Sequence, residues 1–114
     1  MHYILYIMTK YTKGKWMTLK LDKNLTMVGE QFRLARLRRN FTMELVAQRA
    51  QCSRLTVARI ERGEPSVSIG VILRVLNVLQ LEDDILLLAK DDKLGRMVQN
   101  LGLKERKRAT KTNN

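Results

Sequence analysis

Residues 40–63, NFTMELVAQRAQCSRLTVARIERG, most constrain what this chain can fold into, because two helix-start signals, Thr42 and Ser53, leave room between them for only about two helical turns. Thr42 can cap one helix. Glu44 in its first turn is favoured by the helix dipole, and Phe41 and Val46 stand where a hydrophobic staple packs. Ser53 repeats the device, with Cys52 and Val57 in the staple positions, so the lone cysteine reads as a small packing residue rather than a nucleophile. The first of these helices ends near Ala50, and two short helices joined by about three residues form a helix-turn-helix. Val46, Ala47, Ala50, Val57 and Ile60 are the apolar positions that let the two helices cross closely.

Upstream, MVGEQFRLARLRRN places Val28, Phe32, Ala35 and Leu37 near one face, which predicts an amphipathic helix from Met27 that Asn40 ends in a left-handed conformation. Downstream, Gly63 and Pro65 end the third helix, and Ser68 caps a fourth from Ile69 to about Leu79. In IGVILRVLNVLQLEDDILLLA only Arg74, Asn77 and Gln80 form a polar stripe, so more apolar surface is present than one small core covers. Such surplus marks an interface, and a homodimer through Val78, Leu79, Leu81, Ile85, Leu87 and Leu88 is expected. Glu82, Asp83, Asp84, Asp91 and Asp92 stand where helices begin and read as dipole partners, not as a metal site.

Three segments follow from this pass. Residues 1–26 read as a β-hairpin or as an extension ahead of a true start at Met8 or Met17, and the extension is preferred; 27–90 are expected to form the helix-turn-helix and dimerisation domain. Residues 91–114 form a short helix to about Leu101, then a tail of five bases and one acid that is expected to order only on binding.

Twenty-two lysines and arginines against eleven acids give a net charge of +11, which calls for an anionic partner, nucleic acid or an anionic membrane. Every lysine lies outside residues 28–63, whereas that interval holds Arg33, Arg36, Arg38, Arg39, Arg49, Arg54, Arg59 and Arg62. The segregation matters because guanidinium is a planar fork that donates two hydrogen bonds to phosphate or to a guanine edge, whereas ammonium is a hydrated point charge. On the third helix the outward positions are Arg54, Leu55, Thr56, Ala58, Arg59 and Arg62. They suit the major groove, where arginine meets guanine O6 and N7 and small apolar groups meet the thymine methyl.

Other classes are disfavoured. MHYILYIM has no basic residues ahead of it and no cleavage site after it, and no run reaches the roughly 20 apolar residues of a membrane helix, so a soluble cytoplasmic (bacterial, nucleoid-associated) protein is expected. Residues 100–114 lack the aromatics of a membrane anchor. Cys52 and His2 are single, which excludes a disulfide framework and a metal cluster. With no paired carboxylates in a plausible cleft, no phosphate loop and no nucleophile beside a base, neither an enzyme nor a cofactor is expected.

From Val28 to Leu81 the chain resembles the Xre family of lambda-repressor-like helix-turn-helix proteins, above all through SRxTxxRIERG. The resemblance implies an all-α, five-helix lambda-repressor-like domain that binds double-stranded DNA at a palindromic operator. Its base-reading positions fall on Arg54, Leu55, Thr56 and Arg59, and its phosphate contacts around Thr42, Met43, Arg62 and Ser66, with Arg38, Arg39 and Ser53 taken as further phosphate contacts. It also implies an ion pair between Arg36 and Glu61. Two positions depart from the family pattern: Met43 stands where glutamine is usual, and Gln51 where glycine is usual. If the turn needs a positive φ, glutamine there costs about 1 kcal/mol.

The C-terminal third, LEDDILLLAKDDKLGRMVQNLGLKERKR, is similar to Xre-type antitoxins of the HipB kind, through DDKLGRxxQxLxLxxR. That similarity implies repression of a shared operon and binding of a HipA-like kinase toxin, each often tightening the other. The alternative is a stand-alone phage-type or restriction-modification controller that uses the same domain without a toxin.

Overall fold

The computed structural model describes residues 16–113, with side-chain surroundings over 16–103. Every regular element among the described residues is helical: α1 Leu19–Arg38, α2 Met43–Ala50, α3 Arg54–Glu61, α4 Ile69–Val78 and α5 Lys93–Asn113, with a 3₁₀ helix Glu82–Leu87 between α4 and α5 in the chain. The all-α, helix-turn-helix architecture expected from the sequence is therefore present.

The first four helices share one punctuation. Thr18, Thr42, Ser53 and Ser68 each accept a hydrogen bond on the side-chain oxygen from the amide three residues on, at 3.0–3.2 Å. Each helix then closes with an amide bonded back across the last turn: Phe41 to the Arg36 carbonyl, Cys52 to Ala47, Glu64 to Arg59 and Leu81 to Leu76. The residue that turns the chain is left-handed each time, Asn40 (φ 55°), Gln51 (φ 56°), Gly63 (φ 74°) and Gln80 (φ 59°).

Helix α1 starts at Leu19, eight residues ahead of the Met27 expected from periodicity, so part of the supposed 1–26 extension is folded. Met17 is 2 % exposed and Asp22 is 1 % exposed. The reason lies in what the early turns bury: Asp22 and, further along, Gly29 face inward, whereas Leu19, Leu21 and Met27 are exposed, so hydrophobic periodicity reports the wrong side. Of the hairpin or extension expected over residues 1–26, residues 1–15 lie outside the described residues.

The described residues divide into two units, one up to Glu82 and one from Asp83. In the first, α3 packs on α1 and α2, and α2 packs on α4. Its core contains Phe32, Ala35, Val46, Ala47, Ala50, Val57, Ile60, Val75, Leu76 and Leu79. The α1–α3 contact is close enough to require glycine twice. A Cβ on Gly29 would stand 2.5 Å from the Glu61 carbonyl oxygen and 2.7 Å from that of Ile60. One on Gly63, already at φ 74°, would run into the Leu25 carbonyl.

Leu79 is 1 % exposed and belongs to this core, which removes it from the expected dimer surface. Val78 and Leu81 are half-buried. In the second unit Ile85 is half-buried and Leu87 and Leu88 are exposed.

The 3₁₀ helix of the second unit buries no residue. Helix α5 is capped by Asp92, whose Oδ1 accepts from the Gly95 amide at 3.0 Å. It runs on to Asn113 where a tail was expected after Leu101. Lysine, glutamate, arginine and alanine are good helix formers, and a polar composition by itself does not oppose a helix. None of the described helices is long and apolar enough to cross a membrane.

Candidate nucleic-acid interface

The α2–turn–α3 segment is built from its caps inward. Thr42 and Ser53 fix where each helix begins. Gln51, at φ 56° and ψ 48°, makes the turn in the left-handed region at a cost of about 1 kcal/mol relative to glycine. Burial offsets this: Val46, Ala47, Ala50, Val57 and Ile60 are all enclosed, with alanines in α2 removing side-chain bulk.

Because that face of α3 is enclosed, its other face is presented outward. Arg54, Arg59 and Arg62 are exposed, as is Leu55 at 51 %, while Thr56 is half-buried. Thr56 Oγ1 lies 2.8 Å from Ser53 Oγ, so the two hydroxyls share a hydrogen bond as well as the cap. A two-turn helix carrying two guanidinium groups and an exposed leucine, with a third guanidinium on the Arg62 that caps its end, has the donors and the apolar contact that base edges call for.

The arginines of α3 are not solitary. Arg54 donates from Nε to Glu44 Oε1 at 2.7 Å. Glu64 lies between the other two, 3.5 Å from Arg59 Nε and 3.4 Å from Arg62 Nη2. The Glu44 carboxyl is held below its usual range, first by its own backbone amide and then by the Arg54 hydrogen bond, so it is ionised at neutral pH. Neither acid was singled out as an arginine partner by sequence. The Glu44–Arg54 contact joins different helices and leaves no spacing signature.

Around α2 the structure brings several predicted residues together. Thr42, Met43 and Arg54 line one open depression of about 470 Å³ with Arg36, Leu37, Asn40, Phe41 and Glu44. Met43 is half-buried. Arg38 and Ser66 are exposed, whereas Arg39 spends one Nη1 donor on the Ala35 carbonyl at 2.8 Å, at the end of its own helix. Arg49, which carried no specific role, sits over the Phe41 ring at 5.3 Å from its centroid.

Behind the interface, Arg36 donates to both oxygens of Glu61, Nε to Oε2 at 2.7 Å and Nη2 to Oε1 at 3.0 Å, and its Nη1 donates to the Phe41 carbonyl at 3.0 Å. One guanidinium thereby ties α1 to the end of α3 and to the turn before α2. The Glu61 hydrogen bond raises the Arg36 pKa against the opposing effect of burial. Cys52 is half-buried, and burial pushes its thiol up, away from the thiolate a nucleophile needs. Among the described residues no group of three or more histidine, cysteine, aspartate or glutamate side chains is arranged to hold a metal ion.

A family model described as a helix-turn-helix domain matches residues 28–88. No curated protein and no solved structure matches the chain.

Proposed function

The chain belongs to the helix-turn-helix domain family, and from that premise we propose that it is a sequence-specific DNA-binding transcriptional repressor that reads an operator with α3. The observation that carries the reading is the division of α3 into an enclosed face and an outward face bearing Arg54, Leu55, Arg59 and Arg62. Arg54 and Arg59 donate to guanine edges, Leu55 meets a thymine methyl, and Thr56 is a short polar contact beside them. Thr42, Met43, Ser53, Arg62 and Ser66, with Arg38 and the remaining donors of Arg39, follow the phosphates.

A homodimer sets two such helices about 34 Å apart on a palindromic operator. Val78, Leu81, Ile85, Leu87 and Leu88 are the apolar side chains that remain for that association once Leu79 is assigned to the core. The similarity of residues 81–108 to HipB-type antitoxins adds the finer part of the reading: the repressor is the antitoxin of a HipA-like kinase toxin and acts in the cytoplasm on its own operon.

Titration of the selected operator at several salt concentrations tests the DNA part. Arg59→Ala should lose about 1–3 kcal/mol and relax base preference. Arg62→Ala should weaken all duplexes alike and lower the slope of log affinity on log salt by about one. An unchanged base preference removes Arg59 from readout, and an unchanged slope removes Arg62 from phosphate. Purification from the native host at moderate salt tests the antitoxin part: a stoichiometric kinase-like partner supports it, and regulated genes without any such partner favour the stand-alone repressor.

A further inference from the structure

We propose that Glu44 is a positioning residue for base reading, holding Arg54 by its Nε so that the two terminal Nη groups meet a guanine end-on. The proposal rests on the reading of α3 as the base-reading helix. Arg54 opens α3 and Glu44 lies in the first turn of α2, so their 2.7 Å hydrogen bond crosses the helix-turn-helix itself. Among the described residues it is the one hydrogen bond Arg54 makes, which leaves both Nη groups free to donate. Guanine O6 and N7 accept two parallel bonds from such a pair.

The geometry singles out Arg54. Arg59 and Arg62 pair with Glu64 only at 3.5 and 3.4 Å, and among the described residues neither donates a side-chain hydrogen bond that would fix its direction. The backbone that carries Glu44 is fixed in turn, because its helix starts at the Thr42 cap two residues earlier. In water an exposed pair like this contributes little to folding. Its effect appears on binding, where an arginine already held in one direction loses less rotamer freedom. A carboxylate at the rim of a phosphate-binding surface also weakens association with every duplex, so Glu44 trades general affinity for discrimination.

The test uses the full-length chain and its Arg54→Ala, Glu44→Ala and Glu44→Gln variants. Each is put through selection from a randomised duplex library, followed by titration of the selected and a scrambled duplex at one salt concentration. Arg54→Ala should lose about tenfold or more of its discrimination at one base pair. Glu44→Ala should lose discrimination at that same base pair. Glu44→Gln should keep it, because the amide oxygen still accepts from Nε. Both Glu44 variants should bind the scrambled duplex more tightly than the wild-type chain does.

Glu44→Ala with the wild-type ratio at the Arg54 base pair overturns the positioning role alone. Glu44→Gln falling with Glu44→Ala overturns it as well, since charge and not the hydrogen bond would then be responsible. Arg54→Ala with every preference intact overturns both this role and base reading by Arg54. A wild-type chain that binds no duplex overturns the DNA-binding reading beneath it.

Discussion

Residues up to Glu82 and residues from Asp83 obey the same local rules and reach different ends. Both contain capped helices, Ser or Thr in the first unit and Asp92 in the second, and both use left-handed residues outside glycine, such as Gln51 and Ala89. Yet the first unit encloses Val46, Val57 and Leu79 almost completely. In the second, Leu94, Met97, Val98 and Leu101, one face of α5 by their spacing of three and four, are all exposed. Helix formation and burial are separate achievements: a cap needs a partner three residues away, whereas a core needs elements that meet from distant parts of the chain.

The sharpest way to break the contrast is at the interlock of α1 and α3. Arg36→Ala leaves Glu61, whose side chain is 6 % exposed, without its charge partner, and should cost about 3–5 kcal/mol in denaturant unfolding. The Arg36→Met/Glu61→Leu pair should recover much of that, because no unpaired charge remains buried. A melting temperature equal to wild type for Arg36→Ala would place the pair in solvent.

Gly63→Ala should cost roughly 2–5 kcal/mol, combining the left-handed backbone with the obstruction at Leu25. Measured alongside a truncation that begins at Met27, it distinguishes the two causes. Without residues 19–26 the obstruction disappears, and only about 1–2 kcal/mol should separate the Gly63→Ala truncation from the unsubstituted truncation.

At the turn, Gln51→Gly should stabilise by about 1 kcal/mol, raising the urea midpoint without changing its slope. No gain would mean that the glutamine side chain recovers its backbone cost. The smallest effect belongs to the second unit: Leu101→Ala should change stability by no more than about 0.5 kcal/mol, as for an exposed side chain. A loss near 2 kcal/mol, dependent on protein concentration, would show instead that the α5 face is covered in solution by a second copy.

Much of the candidate site was legible because its determinants are local. Thr42, Ser53 and Ser68 are read as caps from residue type and the pattern that follows, and each accepts the amide that such a cap should accept. The exposure of Arg54, Leu55, Arg59 and Arg62 follows once Val57 and Ile60 are assigned inward, since a helix has only two broad faces. Thr18 was missed because the first turn that it caps buries only the Asp22 carboxylate and leaves Leu19 and Leu21 exposed, so it shows no inward apolar stripe. Glu64 was missed as a partner of Arg59 and Arg62 because it lies beyond the helix, past the left-handed Gly63 that turns it back.

By itself, then, the sequence determined the helical class, the position and length of α2 and α3, and the concentration of arginine on one outward surface. Those properties depend on hydrogen bonds within a few residues and on a single helical period. Tertiary structure alone decided that Leu79 belongs to the core rather than to a surface and that Gly29 receives the end of α3. It alone decided that Glu44 meets Arg54. Each of these is a meeting of atoms carried by different helices, and no local pattern encodes the distance between them until the helices have packed.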